Sequence, residues 1–318
     1  MNIIFMGTPE FAVASLEILV KNKYNVVAVV TSPDKPAGRG QQIQQSAVKE
    51  FAVQHDLKVL QPTNLKDESF LKELRSLKPD LQIVVAFRML PETVWNLPPL
   101  GTYNIHASLL PNYRGAAPIN WAIINGEKES GVTSFKLKHE IDTGSILLQE
   151  KVAISDEMNV GELYEKLMHT GAELLLSSVR KIEEGKIELI EQNELLKPGE
   201  EAKHAPKLFK ETCKIDWNKS GKDIHNLIRG LSPYPCAWSE LNSDKGVKAS
   251  FKIFASRFEA KEHSFANGKI LTDRKTFFKV ACQGGYINIT ELQMAGKKKL
   301  NATEFLKGFS CEKNSFFS

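Results

Sequence analysis

An α/β domain on a doubly wound, Rossmann-like, mainly parallel sheet, followed by a small all-β barrel, is the architecture this sequence predicts. The first half alternates short β-branched runs with amphipathic segments of helical period, the pattern of a parallel sheet crossed by helices. Beyond residue 207 short β-rich runs separated by turns take over, the pattern of a small barrel. Charge also segregates. Lys and Arg number 22 against 27 Asp and Glu before Ala205, and 20 against 11 from there on, so balances of −5 and +9 lie within a net +4. A chain of 318 residues is long enough for two unequal domains. Its 42% hydrophobic and 25% charged residues exclude a disordered or fibrous protein.

Residues 3–6 read as a buried parallel strand, and Thr8-Pro9 as a helix start, with Thr as N-cap and Pro at the first helical position. The helix should run from 9 to about 21. A strand at 25–30, a helix at 46–55, a strand at 58–60, a helix at 67–78 and a buried strand at 81–87 follow. The run SPDKPAGRGQQIQQ, residues 32–45, reads as a long polar loop with Lys35 and Arg39 as its cations. Loops of that length inside a compact domain are often functional. INWAII around Trp121 and residues 160–184 read as packing helices. A mixed, charged stretch ending in Lys197-Pro198-Gly199-Glu200 marks a boundary. Domains are therefore expected at 1–186 and 207–318, with 187–206 as linker. In the second, a helix at 220–229 precedes strands at 248–257, 268–272, 277–281 and 286–292.

Several function classes drop out. A dinucleotide site wants GxGxxG after the first strand, but Gly7 stands alone there and serves a tight turn and close packing; GxxxxGK[ST] occurs nowhere. Cys213, Cys236, Cys282 and Cys311 have no CxxC spacing, so neither a metal nor structural disulfides are implied and a reducing, cytoplasmic setting is expected. The apolar start is too short for a secretory core, and no apolar run approaches the roughly 20 residues of a membrane helix.

Chemistry concentrates between residues 104 and 144. LGTYNI has strand composition, and side chains at i and i+2 of a strand share a face, so Asn104 and His106 should line one pocket wall. An amide N–H is a neutral donor for a developing oxyanion, and an imidazole donates or moves a proton near neutral pH. Asp142, in the turn IDTG, could orient His106 or take a proton through water. Taken singly, Asn-x-His also fits a hydrogen-bonded core pair, and Asp before Gly an ordinary turn.

N-I-H-A-S-L-L-P-x-Y-R-G-A-A-P-I, then G-V-T and I-D-T-G, resembles the signature of the folate-dependent formyltransferases. Gly7-Thr8-Pro9-Glu10-Phe11-Ala12 and Ser32-Pro33-Asp34-Lys35-Pro36-Ala37-Gly38-Arg39-Gly40 resemble the branch acting on methionyl-initiator tRNA, and the resemblance spans the chain. It implies formyl transfer from 10-formyltetrahydrofolate to the α-amine of methionine on initiator tRNA, by a monomer, with Asn104, His106 and Asp142 as catalytic residues. Ser108, Leu109, Leu110 and Pro111 would help hold the folate. Lys35 and Arg39 would contact tRNA, and the C-terminal domain would be an oligonucleotide-binding (OB) type barrel. Lys297, Lys298 and Lys299, after its last clear strand, would neutralise phosphates without reading sequence, although a triple lysine alone is also an ordinary solvated run.

Two departures from the family pattern stand out. Gln41 and Gln42 occupy positions where lysines are frequent, weakening the loop's electrostatic contribution. Phe87-Arg88 replaces a frequent Tyr-Gly, and since arginine enters positive φ less readily than glycine, the backbone at Arg88 is expected not to need that conformation. Formyl transfer to a glycinamide ribonucleotide or an amino-sugar nucleotide, and hydrolysis of the folate, would use the same Asn-x-His and Asp. The 32–40 loop and the basic C-terminal half favour tRNA over these. A non-catalytic RNA-binding or folate-sensing protein would not need all three polar groups intact.

Overall fold

A computed structural model of the chain describes residues 1–37, 42–242, 246, 249–309 and 314–318. Arg39 and Gln41 lie outside the described residues. Two compact units are present, one of residues 1–115, 130–153 and 164–205, the other of residues 116–129, 154–163 and 206–318. The stretch 187–205 clusters with the first unit because its backbone pairs with strands of that unit, as described below.

In chain order the first half contains β1 (Asn2–Gly7), α1 (Glu10–Lys21), β2 (Asn25–Val30), β3 (Lys35–Ala37), β4 (Gln42–Gln44), α2 (Ala47–Gln54), β5 (Val59–Leu60), α3 (Glu68–Ser76), β6 (Leu81–Val85), α4 (Glu92–Trp95), β7 (Thr102–His106), β8 (Arg114–Gly115), α5 (Pro118–Ile124), β9 (Glu129–Lys136), β10 (Ile146–Ala153), α6 (Val160–Glu183) and β11 (His204–Ala205). The large sheet has the order β10-β9-β7-β6-β1-β2-β5. β5, β2, β1, β6 and β7 run parallel, and β9 is antiparallel to β7. From central β1 the chain winds out through β2 to β5, then crosses to β6 and β7. The order therefore reverses between β1 and β6, and at such a switch the strand C-termini open onto a crevice where α/β proteins bind ligands.

Ser46 and Asp67 begin α2 and α3 as N-caps, accepting from the amides of Lys49 and Phe70 at 3.1 Å. At α1 the helix starts one residue later than expected: Pro9 is extended (φ −80°, ψ 173°) and itself stands at the N-cap, with no side-chain cap. Within the polar run at 32–45, expected as a loop, β3 and β4 pair antiparallel. Gly7 ends β1 where the backbone packs closely; a Cβ there would lie 2.7 Å from Ala12 Cβ and 3.1 Å from the Val85 carbonyl oxygen.

The second unit adds α7 (Gly221–Leu231), β12 (Ala237–Asn242), β13 (Ala249–Ala260), β14 (Ile270–Thr272), β15 (Phe278–Cys282), β16 (Gly285–Met294), β17 (Leu300–Asn301), α8 (Ala302–Gly308) and β18 (Phe316–Phe317). Its strands follow the order β14-β15-β16-β13-β12-β18, and a bridge between Lys269 and Phe316 brings the two ends of that path together. The result is the expected small, nearly closed antiparallel barrel. Its core stacks Trp217 on Phe317 at 5.7 Å, with Phe251 and Phe278 fully buried beside them. β12, which sequence periodicity did not single out, pairs along β13. No helix among the described residues is long and apolar enough to cross a membrane.

Candidate active site

Register places the first two candidate groups. Met6 pairs with Val84 and Val84 with Asn104, so these three share a sheet face, as does His106 two residues on. The opposite face of β7 and β9, carrying Ile105 and Val132, is covered by α6, where a Cβ on Gly171 would stand 3.3 Å from Ile105 Cγ2. Asn104 and His106 thus project together from the C-terminal end of a strand beside the topological switch. Asn104 is half-buried, and its amide has no hydrogen-bond partner among the described residues. The expected shared wall is present.

His106 is 7% exposed, and its Nε2 lies 2.9 Å from the carbonyl oxygen of Tyr113. A carbonyl only accepts, so its position assigns the proton to Nε2. Nδ1 is then the nitrogen able to gain or lose a proton. Asp142 lies in the turn after β9 at φ 54°, and its Oδ2 accepts from the Gly115 amide at 3.1 Å. Segment 113–115 therefore joins the two side chains: its first carbonyl holds the imidazole and its last amide holds the carboxylate. Ring orientation is set by Tyr113 rather than by a direct bond from Asp142.

The turn around Asp142 tolerates little variation. A Cβ on Gly144 would fall 1.8 Å from the Lys136 carbonyl oxygen, and one on Gly115 (φ 122°) 2.5 Å from that of Ala205. Glu191 accepts from Lys138 Nζ and, at 2.7 Å, from Ser145 Oγ, contacts that hold its carboxyl below the usual range, Lys138 contributing most.

The loop after β7 is organised by Thr133. Its hydroxyl donates to the Ser108 carbonyl (2.6 Å) and accepts from the Leu110 amide (3.1 Å) and Gln149 Nε2 (2.9 Å). Gln149 Nε2 also reaches the Leu110 carbonyl at 2.8 Å. Within the quartet read as a folate wall, Ser108 is buried and donates to the Asn112 carbonyl at 2.7 Å. Leu110, 2% exposed, packs on Phe135 and Ile146, while Leu109 is half-buried.

Lys35 is exposed on β3. Lys297 and Lys298 are exposed, with no ion pair among the described residues. Lys299 differs: its ammonium pairs with Glu291 at 2.8 Å and lies 5.2 Å from the centre of the Phe254 ring. At Arg88 the backbone does avoid positive φ; Ala86 adopts it instead (φ 48°), and the guanidinium donates to the Thr63 carbonyl at 2.9 Å and to that of Pro62. Sequence reading missed Gln192, which bonds to the Asp142 turn, and gave no role to Arg114, which bonds to Gln192. Arg114 sits within the motif quoted above, whereas nothing around Gln192 marks it.

Residues 1–179 match the formyl transferase family, and residues 207–310 match the formyl transferase C-terminal domain. A methionyl-tRNA formyltransferase of Bacteroides fragilis is 55% identical over 309 residues, 97% of this chain and 95% of that one. The chain belongs to the methionyl-tRNA formyltransferase family. A member from Flavobacterium johnsoniae is 52% identical across 98% of this chain and 96% of its own. Among solved structures, the N-formyltransferase of Helicobacter canadensis, in complex with folinic acid and dTDP-3-aminofucose, superposes with a TM-score of 0.66 at 22% identity, covering 94% of this chain and 99% of that one. HypX of Aquifex aeolicus with tetrahydrofolic acid gives 0.62 at 20% identity, covering 97% of this chain but 48% of that longer protein. These two likenesses bear on the fold alone, which this chain shares with folate-dependent formyltransferases.

Proposed function

We propose that the chain transfers the formyl group of 10-formyltetrahydrofolate to the α-amine of methionyl-initiator tRNA, and that Asn104, His106 and Asp142 carry the reaction. The supporting observation is the unpartnered Asn104 amide beside His106, with Asp142 tied to the same segment that orients the ring. The neutral amine attacks the formyl carbon, the new C–N bond forms, and the carbonyl electrons move onto oxygen. Asn104 and, from an Nδ1 protonated in the complex, His106 donate to that oxyanion, the step at which preorganised donors contribute most. Asp142 takes the amine proton through water. Collapse of the intermediate breaks the bond to folate N10, which leaves carrying the proton that Asp142 took from the amine and passes on through water.

Ser108, Leu109, Leu110 and Pro111 form the folate side of the pocket in this reading, with half-buried Leu109 offering apolar contact and Leu110 supporting it from the core. Residues 1–186 carry the catalytic groups, 187–206 lead on from them while bonding back to the Asp142 turn, and 207–318 bind tRNA. Lys35 and Arg39 contact the acceptor end, and Lys297 and Lys298 neutralise phosphates more than Lys299 does. The enzyme works as a cytoplasmic monomer without a metal. The test is incubation with methionyl-initiator tRNA and 10-formyltetrahydrofolate, followed by ester hydrolysis and measurement of formylmethionine, with His106→Ala alongside. Formylation lost in the variant is the expected result. Formyl transfer to a small amine or to water, but not to tRNA, overturns the assignment of the acceptor.

A further inference from the structure

Three consecutive residues of the segment following α6 bond to the turn that carries Asp142 or to the first residue of β10 after it. Ile190 pairs with Ile146 through two backbone hydrogen bonds of 2.8 and 2.9 Å. Glu191 accepts from Ser145 and Lys138. Gln192, 1% exposed, donates from Nε2 to the carbonyls of Asp142 and Gly144, both at 2.8 Å. Its Oε1 accepts from Arg114 Nε at 2.9 Å and Nη2 at 2.6 Å. Both amide protons and both lone pairs of Gln192 are thus used, and the partners fix which end is which. Flipping the amide would set an oxygen against two carbonyls and an NH2 against a guanidinium. Arg114 in turn lies between Tyr113, whose carbonyl holds His106, and Gly115, whose amide holds Asp142.

We propose that Gln192, anchored by Arg114, is a positioning residue for the Asp142 carboxylate. The inference rests on the reading of Asp142 as a catalytic group. Asp142 is held at positive φ, a conformation disfavoured for aspartate, and its own carbonyl is gripped from behind by Gln192. One carbonyl hydrogen-bonded at the Asp142 backbone and one at Gly144 clamp the turn on both sides of Thr143, leaving the carboxylate aimed at the Gly115 amide.

Gln192→Glu keeps the shape and the acceptor for Arg114 but replaces the donor with an oxygen facing two carbonyls. Gln192→Met keeps the volume and removes every hydrogen bond, and it serves if the Glu variant does not fold. Steady-state kinetics would be measured on both beside Asp142→Asn, with thermal unfolding and active-site concentration determined for each. We expect kcat to fall about 10- to 100-fold in the Gln192 variants, the range in which small displacements of catalytic groups act, with KM for tRNA and for folate little changed. Wild-type kcat in a folded Gln192 variant, with Asp142→Asn impaired, overturns the positioning role alone. Wild-type kcat in Asp142→Asn overturns the reading of Asp142 and this inference with it. Losses spread over kcat and both KM values, in proportion to a fall in melting temperature, overturn it in favour of a packing role.

Discussion

An amide and an imidazole two positions apart on a strand face the same side without touching one another, so they can reach a common atom, and Asn104 and His106 have that spacing on β7. Because the Asn104 side-chain amide makes no hydrogen bond within the described protein, truncating it leaves no orphaned partner behind, and in the proposed reaction the loss falls on the transition state. Asn104→Ala is expected to lower kcat about 100- to 1,000-fold while KM for either substrate stays within a few-fold, as for removal of an oxyanion donor. Single-turnover formylation measures it, and an equal loss in KM would reassign Asn104 to ground-state binding. This pair was legible because strand periodicity is local and a sequence carries it directly. The groups that hold His106 and Asp142 were not: the Tyr113 carbonyl and the Gly115 amide are backbone atoms that no residue type announces. Gln192 lies fifty positions from Asp142 in sequence and becomes its neighbour only through the pairing of Ile190 with Ile146. Lys299 shows the converse limit, since its pairing with Glu291 depends on the turn that returns the chain to β16.

Thr133 shows how one element fixes another. Its hydroxyl serves three partners from β9, on the loop after β7 and on β10, and all of them are buried or half-buried. Replacing it with the near-isosteric Val strands the Leu110 amide and the Ser108 carbonyl. The expected cost is about 1–3 kcal/mol per unsatisfied buried group, read as a fall in the urea midpoint at unchanged slope. In the second unit, His225 on α7 sits against Ser256 of β13, Nδ1 to Oγ 3.1 Å. Burial pushes its pKa down, opposed by Glu157 and Asp156 and aided by Arg229. The unfolded chain therefore binds a proton more readily than the folded one. Stability from this group is complete above the ordinary histidine value of 6.5 and is lost as pH falls below it. Denaturant unfolding between pH 7.5 and 5.5 should show that loss, and His225→Gln should flatten it; an identical slope in the variant would place the acid sensitivity elsewhere. Of these elements the sequence reading placed β7, α7 and β13 but neither β9 nor β10, and the one cap it named, Thr8, gives way to Pro9. The 32–45 run was read as a loop, and the three-residue strands β3 and β4 within it are too short, and too rich in polar residues and proline, to stand out by alternation.

Across the whole molecule the charge balance of −5 before Ala205 and +9 after it makes a prediction about binding rather than chemistry. Phosphate neutralisation releases counterions, so the KM for tRNA should rise steeply with salt while the KM for folate and kcat move little. If Lys297 and Lys298 each meet one phosphate, replacing both with Ala lowers the slope of log KM against log salt by about two, one for each contact. Lys299→Ala should lower it less, since Glu291 already balances that charge and the pair would have to open before a phosphate could bind. Formylation kinetics at several potassium chloride concentrations, for the wild type and the two lysine variants, separate these cases. Equal slopes in all three would mean that the basic balance of the C-terminal half meets the tRNA through other cations. A larger drop for Lys299→Ala than for the double variant would mean that the Glu291 pair breaks on binding and hands its lysine to the phosphate.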